Sequence, residues 1–230
     1  VRLLARKMSH ALFVFGSLDT APVLENLEIY DWSGAAFASF FSTSVIVQAS
    51  GLYIHDLGYD SKGETSQNNA LIIAYGLDMQ DSCVADSSST ARGAIYCQSG
   101  GSVSISGSEI RNFEATQTTA TRDGSSAVNV LQCSLDISDT LFADNTTEAL
   151  GGTITAECYA GYDVSLEDVT FTDNSSTSTS SPTGTLMLSE TGSSACSSVG
   201  VSCTNVSGSG NSPGDGAATS EGTSLTCDSL

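Results

Sequence analysis

The chain has 230 residues, with 26 Asp and Glu against 7 Lys and Arg and a formal net charge of −19. That imbalance excludes a nucleic-acid ligand, whose phosphates need a basic footprint, and adhesion to anionic lipid, while it suits solubility, calcium or a cationic partner. Hydrophobic residues at 40% supply a core and exclude a disordered chain despite the Ser and Thr content.

The sequence opens at Val1 and becomes repeat-like almost at once, so it reads as part of a longer chain. The apolar run at 11–15 is too short for a signal core or a membrane span, and no membrane insertion is expected. A ten-residue pattern then recurs: apolar-x-apolar-x-[Asn/Asp/Gly]-x-x-apolar-x-[Asp/Asn]. Its last position falls at Asp31, Asp56, Asp86, Asn112, Asp144, Asp173 and Asn205, in steps of 25, 30, 26, 32, 29 and 32 residues. Two places earlier stand Ile29, Ile54, Val84, Ile110, Phe142, Phe171 and Cys203. Five places earlier stand Asn26, Gly51, Asp81, Gly107, Asp139, Asp168 and Gly200, the residue types that best tolerate a left-handed backbone. Two alternating strands with such a bend between them turn a corner without breaking a sheet.

A second strand precedes each copy. Its inward positions read Leu12 and Val14, Ala36 and Ala38, Leu71 and Ile73, Ile95 and Cys97, Val128 and Val130, Ile154 and Ala156, Leu186 and Leu188. The residue between them, from Phe13 and Phe37 through Tyr96 to Asn129 and Thr155, is expected to face outward. One repeat cannot bury its inward face, but stacked repeats can. The predicted fold is all-β: a right-handed, single-stranded parallel β-helix of about seven rungs over 1–206, with handedness taken from the general preference of parallel connections. Residues 207–230 read as a flexible Gly/Ser-rich tail or a partial final rung, and 59–69, 114–125 and 177–182 as polar loop insertions. A β-sandwich would need hairpin signals every 8 to 12 residues instead.

Seven cysteines stand at 83, 97, 133, 158, 196, 203 and 227, with no Cys-x-x-Cys pair, so a zinc knuckle is not expected. The odd count leaves one thiol over. Sequons at Asn145, Asn174 and Asn205 mark candidate glycosylation positions. Cysteines and sequons together point to an extracellular or cell-surface location.

Gly151-Gly152-Thr153-Ile154 and Arg92-Gly93-Ala94-Ile95, with Phe142-Ala143-Asp144-Asn145 and Phe171-Thr172-Asp173-Asn174, resemble the Gly-Gly-Ala-Ile and Phe-x-x-Asn repeats of the polymorphic outer membrane protein family. The resemblance covers 92–175; earlier rungs carry Trp32, Leu57, Ser87 and Phe113 at the final Asn position. More broadly the chain resembles the pectin-lyase-like right-handed β-helix superfamily. That resemblance implies adhesins, autotransporter passengers or polysaccharide-degrading enzymes, and fold alone does not choose among them.

Two candidate sites follow from the stacking. Glu28, Tyr30, Tyr53, His55, Glu109 and Arg111 would share one outward strip, where aromatic rings, carboxylates and a guanidinium suit a sugar polymer. Asp56, Asp86, Asp144 and Asp173 would stack along one corner at ~4.8 Å, where calcium would relieve their repulsion, or where each side chain simply caps its own turn. No other cofactor is expected. A polysaccharide lyase would need a base near calcium-binding carboxylates, and Arg111 beside the Asp86 and Asp144 rungs is the one arrangement that would serve. The Asn-x-Asp, Asp-Asp and His-Gly elements that the polygalacturonases of this fold carry are absent. The leading expectation is therefore a non-enzymatic segment for adhesion or glycan contact, its partner a glycan or an extracellular protein. A polysaccharide lyase or glycoside hydrolase of the same fold is the alternative.

Overall fold

The structure, a computed structural model, describes residues 2–3, 13–15, 21–31, 37–39, 46–59, 70–90, 92–116, 125–178, 181, 183–189, 196, 199–219 and 227. Parallel strands stack in successive coils to make a β-solenoid, and the described residues contain no α-helix. Four coils are described almost without a break, at 70–90, 92–116, 125–149 and 151–178. Strands of further coils pair on either side of them, so one sheet runs in register from Arg2–Leu3 to Ser207–Ser209.

The last of those four coils shows the plan. Strand Ile154–Glu157 leads into Val164–Glu167, a left-handed residue follows, then Thr170–Thr172, a second left-handed residue, and the short strand Ser175–Ser176. Alternation in Val164–Glu167 buries Val164 and Leu166 and exposes Glu167, as a half-buried strand requires. The first corner column has positive φ at Asn26, Gly51, Asp81, Gly107, Asp139 and Asp168; the second has it at Asp31, Asp56, Asp86, Asn112, Asp144 and Asp173. Gly, Asn and Asp accept that conformation at least cost, which is why these types fill both columns. Backbone hydrogen bonds continue across the corners, as in Asp139 N–H to Glu167 O at 3.0 Å and Asp144 N–H to Thr172 O at 3.0 Å.

Inside the coils lies one continuous apolar core. Ile95, Val128, Ile154 and Leu186 stack in register and are fully buried, as the repeat pattern predicts. Beside them runs a polar ladder. Asn145 and Asn174 are 0% exposed, and Asn211 joins them. Asn174 Oδ1 accepts from Asn145 N–H at 3.1 Å and Asn145 Nδ2 at 2.9 Å, while Asn174 Nδ2 donates to Phe142 O at 2.9 Å. Asn211 Oδ1 repeats the pattern toward Asn174, and Asp215 Oδ1 closes the ladder by accepting from both nitrogens of Asn211. Phe142 and Phe171 stack next to it with centroids 5.2 Å apart.

Three disulfides, Cys97–Cys133, Cys158–Cys196 and Cys203–Cys227, join residues 36, 38 and 24 apart, roughly one coil each. Closing loops of this length stabilises by about 3–4 kcal/mol apiece through the unfolded state. Their presence fits an oxidising environment. No helix among the described residues is long and apolar enough to cross a membrane.

The structure corrects three details of the repeat. Gly200 does not take a left-handed φ, because the seventh copy is displaced: Leu166 pairs with Cys203 and Phe171 with Gly208. The left-handed residues of that coil are therefore Asn205 and Gly210, and glycines replace both the inward Phe and the corner Asp that would have marked them. In the earlier coils the register is one residue later than the alternation suggests. Ile72 and Ala74, not Leu71 and Ile73, align with Ile95 and Cys97, and Phe37 aligns with Ile72. The third correction concerns the outer side of this sheet. Tyr96, Asn129, Thr155 and Met187 form a register column that is buried, and Ile73, Tyr96 and Leu131 make a second apolar cluster there. Of the two readings of 207–230, the described part at 207–219 fits the partial final rung: Ser207–Ser209 pairs with Thr170–Thr172, and Ala218–Thr219 with Met187–Leu188.

Candidate functional site

Between its two left-handed corners each coil carries four residues, the last three of which form an extended stretch. The middle residue of that stretch points into the core, as the burial of Ile29, Ile54, Val84, Ile110, Phe142 and Phe171 shows. Two outward positions per coil remain. In register they form the columns Glu28, Tyr53, Cys83, Glu109, Leu141, Thr170 and Tyr30, His55, Ala85, Arg111, Ala143, Thr172. All six residues predicted for an outward strip thus lie on this one face.

They fall into two groups. In the first, the His55 ring stacks with two tyrosines, its centroid 5.3 Å from that of Tyr30 and 4.2 Å from that of Tyr53. Its Nε2 lies 3.3 Å from Glu28 Oε1 and its Nδ1 2.7 Å from Asp56 Oδ2, so carboxylates hold both edges of the ring. Tyr53 is 37% exposed and presents its ring to solvent. In the second group, Arg111 Nε pairs with Glu109 Oε1 at 3.1 Å. Desolvation alone would lower the Arg111 pKa, but the charges of Glu109, Cys83 and Asp86 outweigh it and hold the guanidinium above its ordinary value.

Between the groups sits Cys83, the one cysteine outside the disulfides. Its thiol pKa is raised, first by burial and then by the Glu109 carboxylate, with Arg111 pulling the other way. An odd cysteine count signals a leftover thiol, but only the structure says which one it is. A shallow groove of about 500 Å³ opens here, with Tyr53, Cys83, Glu109 and Leu141 along it and Asp81 and Asp139 at the adjoining corner. Sequence reasoning treated those two aspartates as bend residues only.

The candidate metal ligands Asp56, Asp86, Asp144 and Asp173 line the second corner, exposed and in register, with Asn112 interrupting them. Asn112 Nδ2 donates to Asp86 Oδ1 at 2.6 Å, and Asp56 holds His55. Among the described residues no three His, Cys, Asp or Glu side chains converge on a point that would hold a metal ion. Of the sequon asparagines, Asn145 and Asn174 are consumed by the buried ladder, which leaves no room for a glycan in the folded chain. Asn205 is exposed, its Nδ2 donating to Asp168 Oδ1 at 3.0 Å.

No family model, curated protein or solved structure matches this chain, so neither of the two resemblances is shown to be membership.

Proposed function

We propose that this chain is a non-enzymatic, extracellular or cell-surface β-solenoid segment that contacts glycans through the outward face of its 28–111 strands. The observation that carries the reading is the Tyr30–His55–Tyr53 stack, fixed in place and flanked by hydrogen-bonding groups. A rigid aromatic ring offers a sugar's C–H face a flat apolar partner, while nearby carboxylates accept from its hydroxyls. Because the ring sits on paired strands rather than a loop, little ordering entropy is lost on binding. The superfamily resemblance and the oxidising environment implied by the disulfides agree with an exterior role. A lyase reading would need Arg111 as its base, and the Glu109 carboxylate beside it shifts the guanidinium pKa upward, toward the protonated form.

The test is a glycan array probed with the intact, oxidised chain, followed by titration of any hit. Tyr53→Ala should weaken binding at least about tenfold, or ~1.4 kcal/mol, with the circular dichroism spectrum unchanged. Equal binding by that variant, or no glycan bound at all, overturns the proposal.

A further inference from the structure

We propose that the groove beside Tyr53 is selective for amino sugars, whose protonated amine sits on an otherwise neutral ring, and rejects uronic acids. The inference rests on the glycan reading above and names its sugar class. Its basis is charge complementarity around the groove. Tyr53 and Leu141 supply apolar surface at its two ends, Cys83 lies between them, and three carboxylates border it: Asp81, Glu109 and Asp139.

The corner geometry places two of those carboxylates. Asp81 and Asp139 belong to the same left-handed column, two coils apart, or roughly 10 Å at the ordinary strand spacing. Gly107 lies between them, and a Cβ there would come within 2.7 Å of Asp81 Oδ1. The missing side chain is thus the space into which the Asp81 carboxylate leans. Both aspartates are exposed, so their oxygens are available to a ligand. Arg111 is paired with Glu109 on the same strand, so those two charges cancel and the uncompensated charge at the groove is that of Asp81 and Asp139. Among the described residues no Lys or Arg lines the groove, so a uronate would meet the two aspartates unopposed, whereas an amine would replace water with charge-assisted hydrogen bonds. The net charge of −19 extends the same preference to long range, steering cations in and anions away.

The experiment titrates the intact, disulfide-bonded chain, at mildly acidic pH and low salt, with three oligosaccharides of matched length: chitosan, its fully N-acetylated form, and oligogalacturonate. Chitosan should bind about tenfold tighter than the N-acetylated oligomer, and oligogalacturonate should not bind. The Asp81→Asn, Asp139→Asn double variant should lose the chitosan preference and keep its affinity for the N-acetylated oligomer. Oligogalacturonate binding as well as chitosan, or a preference that survives in the double variant, overturns the selectivity and leaves the glycan reading standing. Oligolysine matching chitosan, with Tyr53→Ala affecting neither, would instead mark a basic peptide as the partner and overturn it too. Failure of all three saccharides removes the glycan reading itself.

Discussion

Cys83 shows how much one position depends on its neighbours in the coils above and below. Its strand partners across the face are Tyr53 and Glu109, and every charge acting on the thiol comes from outside its own motif or from the adjoining corner. Burial and Glu109 raise the pKa, so the folded chain favours the neutral thiol. The sign is then fixed: the thiolate appears only at a pH above that of an ordinary cysteine, and alkylation should follow. The iodoacetamide rate plotted against pH should lie on the alkaline side of the same protein unfolded in denaturant. Glu109→Gln should move the profile back toward neutral pH, and Arg111→Met should move it further alkaline, because the two groups act in opposite directions. Identical profiles for folded and unfolded chain would refute the placement of this thiol. Nothing in the sequence around 83 announces this; the register between coils does.

At the scale of elements, the asparagine ladder and the two corners do different work. Corners set where a strand stops, and their Asn, Asp and Gly columns are legible because the left-handed region admits few other residues. The ladder is less legible. The position after the second corner carries Leu57, Ser87 and Phe113 before it settles into Asn145 and Asn174, so the pattern reads as two sequons rather than as core. Yet Ser87 Oγ accepts from Leu57 N–H at 3.0 Å, and Asn145 Oδ1 from Phe113 N–H at 3.1 Å, so each polar member answers the backbone of the preceding coil. Asn174→Ala would strip Asn145 N–H and Phe142 O of their partners inside a dry interior. We expect a loss of about 2–4 kcal/mol, seen as a lower urea midpoint with an unchanged slope. A neutral result would mean that the ladder is not buried. The early strand register was misread for a related reason. Residues 70–74 are buried on both sides, so Ala70, Leu71, Ile72, Ile73 and Ala74 show no alternation from which to choose a face.

For the molecule as a whole, stacking converts a weak sequence repeat into continuous columns. The solenoid, its core column and the shared face of Glu28, Tyr30, Tyr53, His55, Glu109 and Arg111 were legible because period-two burial and the corner residues repeat at nearly constant spacing. Tyr96, Asn129, Thr155 and Met187 defeat the same logic, since a covered outer side looks polar or apolar according to what lies over it rather than to the strand period. The acidic corner yields a test at this scale. Its carboxylates are exposed and partly engaged by Asn112 and His55, so a divalent ion finds no converging ligand set among the described residues. The melting temperature should be nearly indifferent to millimolar calcium and to chelator, apart from screening that magnesium reproduces. A rise specific to calcium would show that the corner binds the ion and stabilises the folded stack by mass action.

The disulfides have a mechanical consequence. Pulled from its ends, a stack that holds each coil only to its neighbours peels one coil at a time. Residues inside a closed loop cannot pay out under that load, so 97–133, 158–196 and 203–227 stay short when the chain is stretched. Everything free to lengthen by more than a few residues lies before Cys97 or between Cys133 and Cys158. The solenoid is therefore uneven in compliance: the stretch before Cys97 and the 24 residues between Cys133 and Cys158 yield under tension, and the three stapled loops do not.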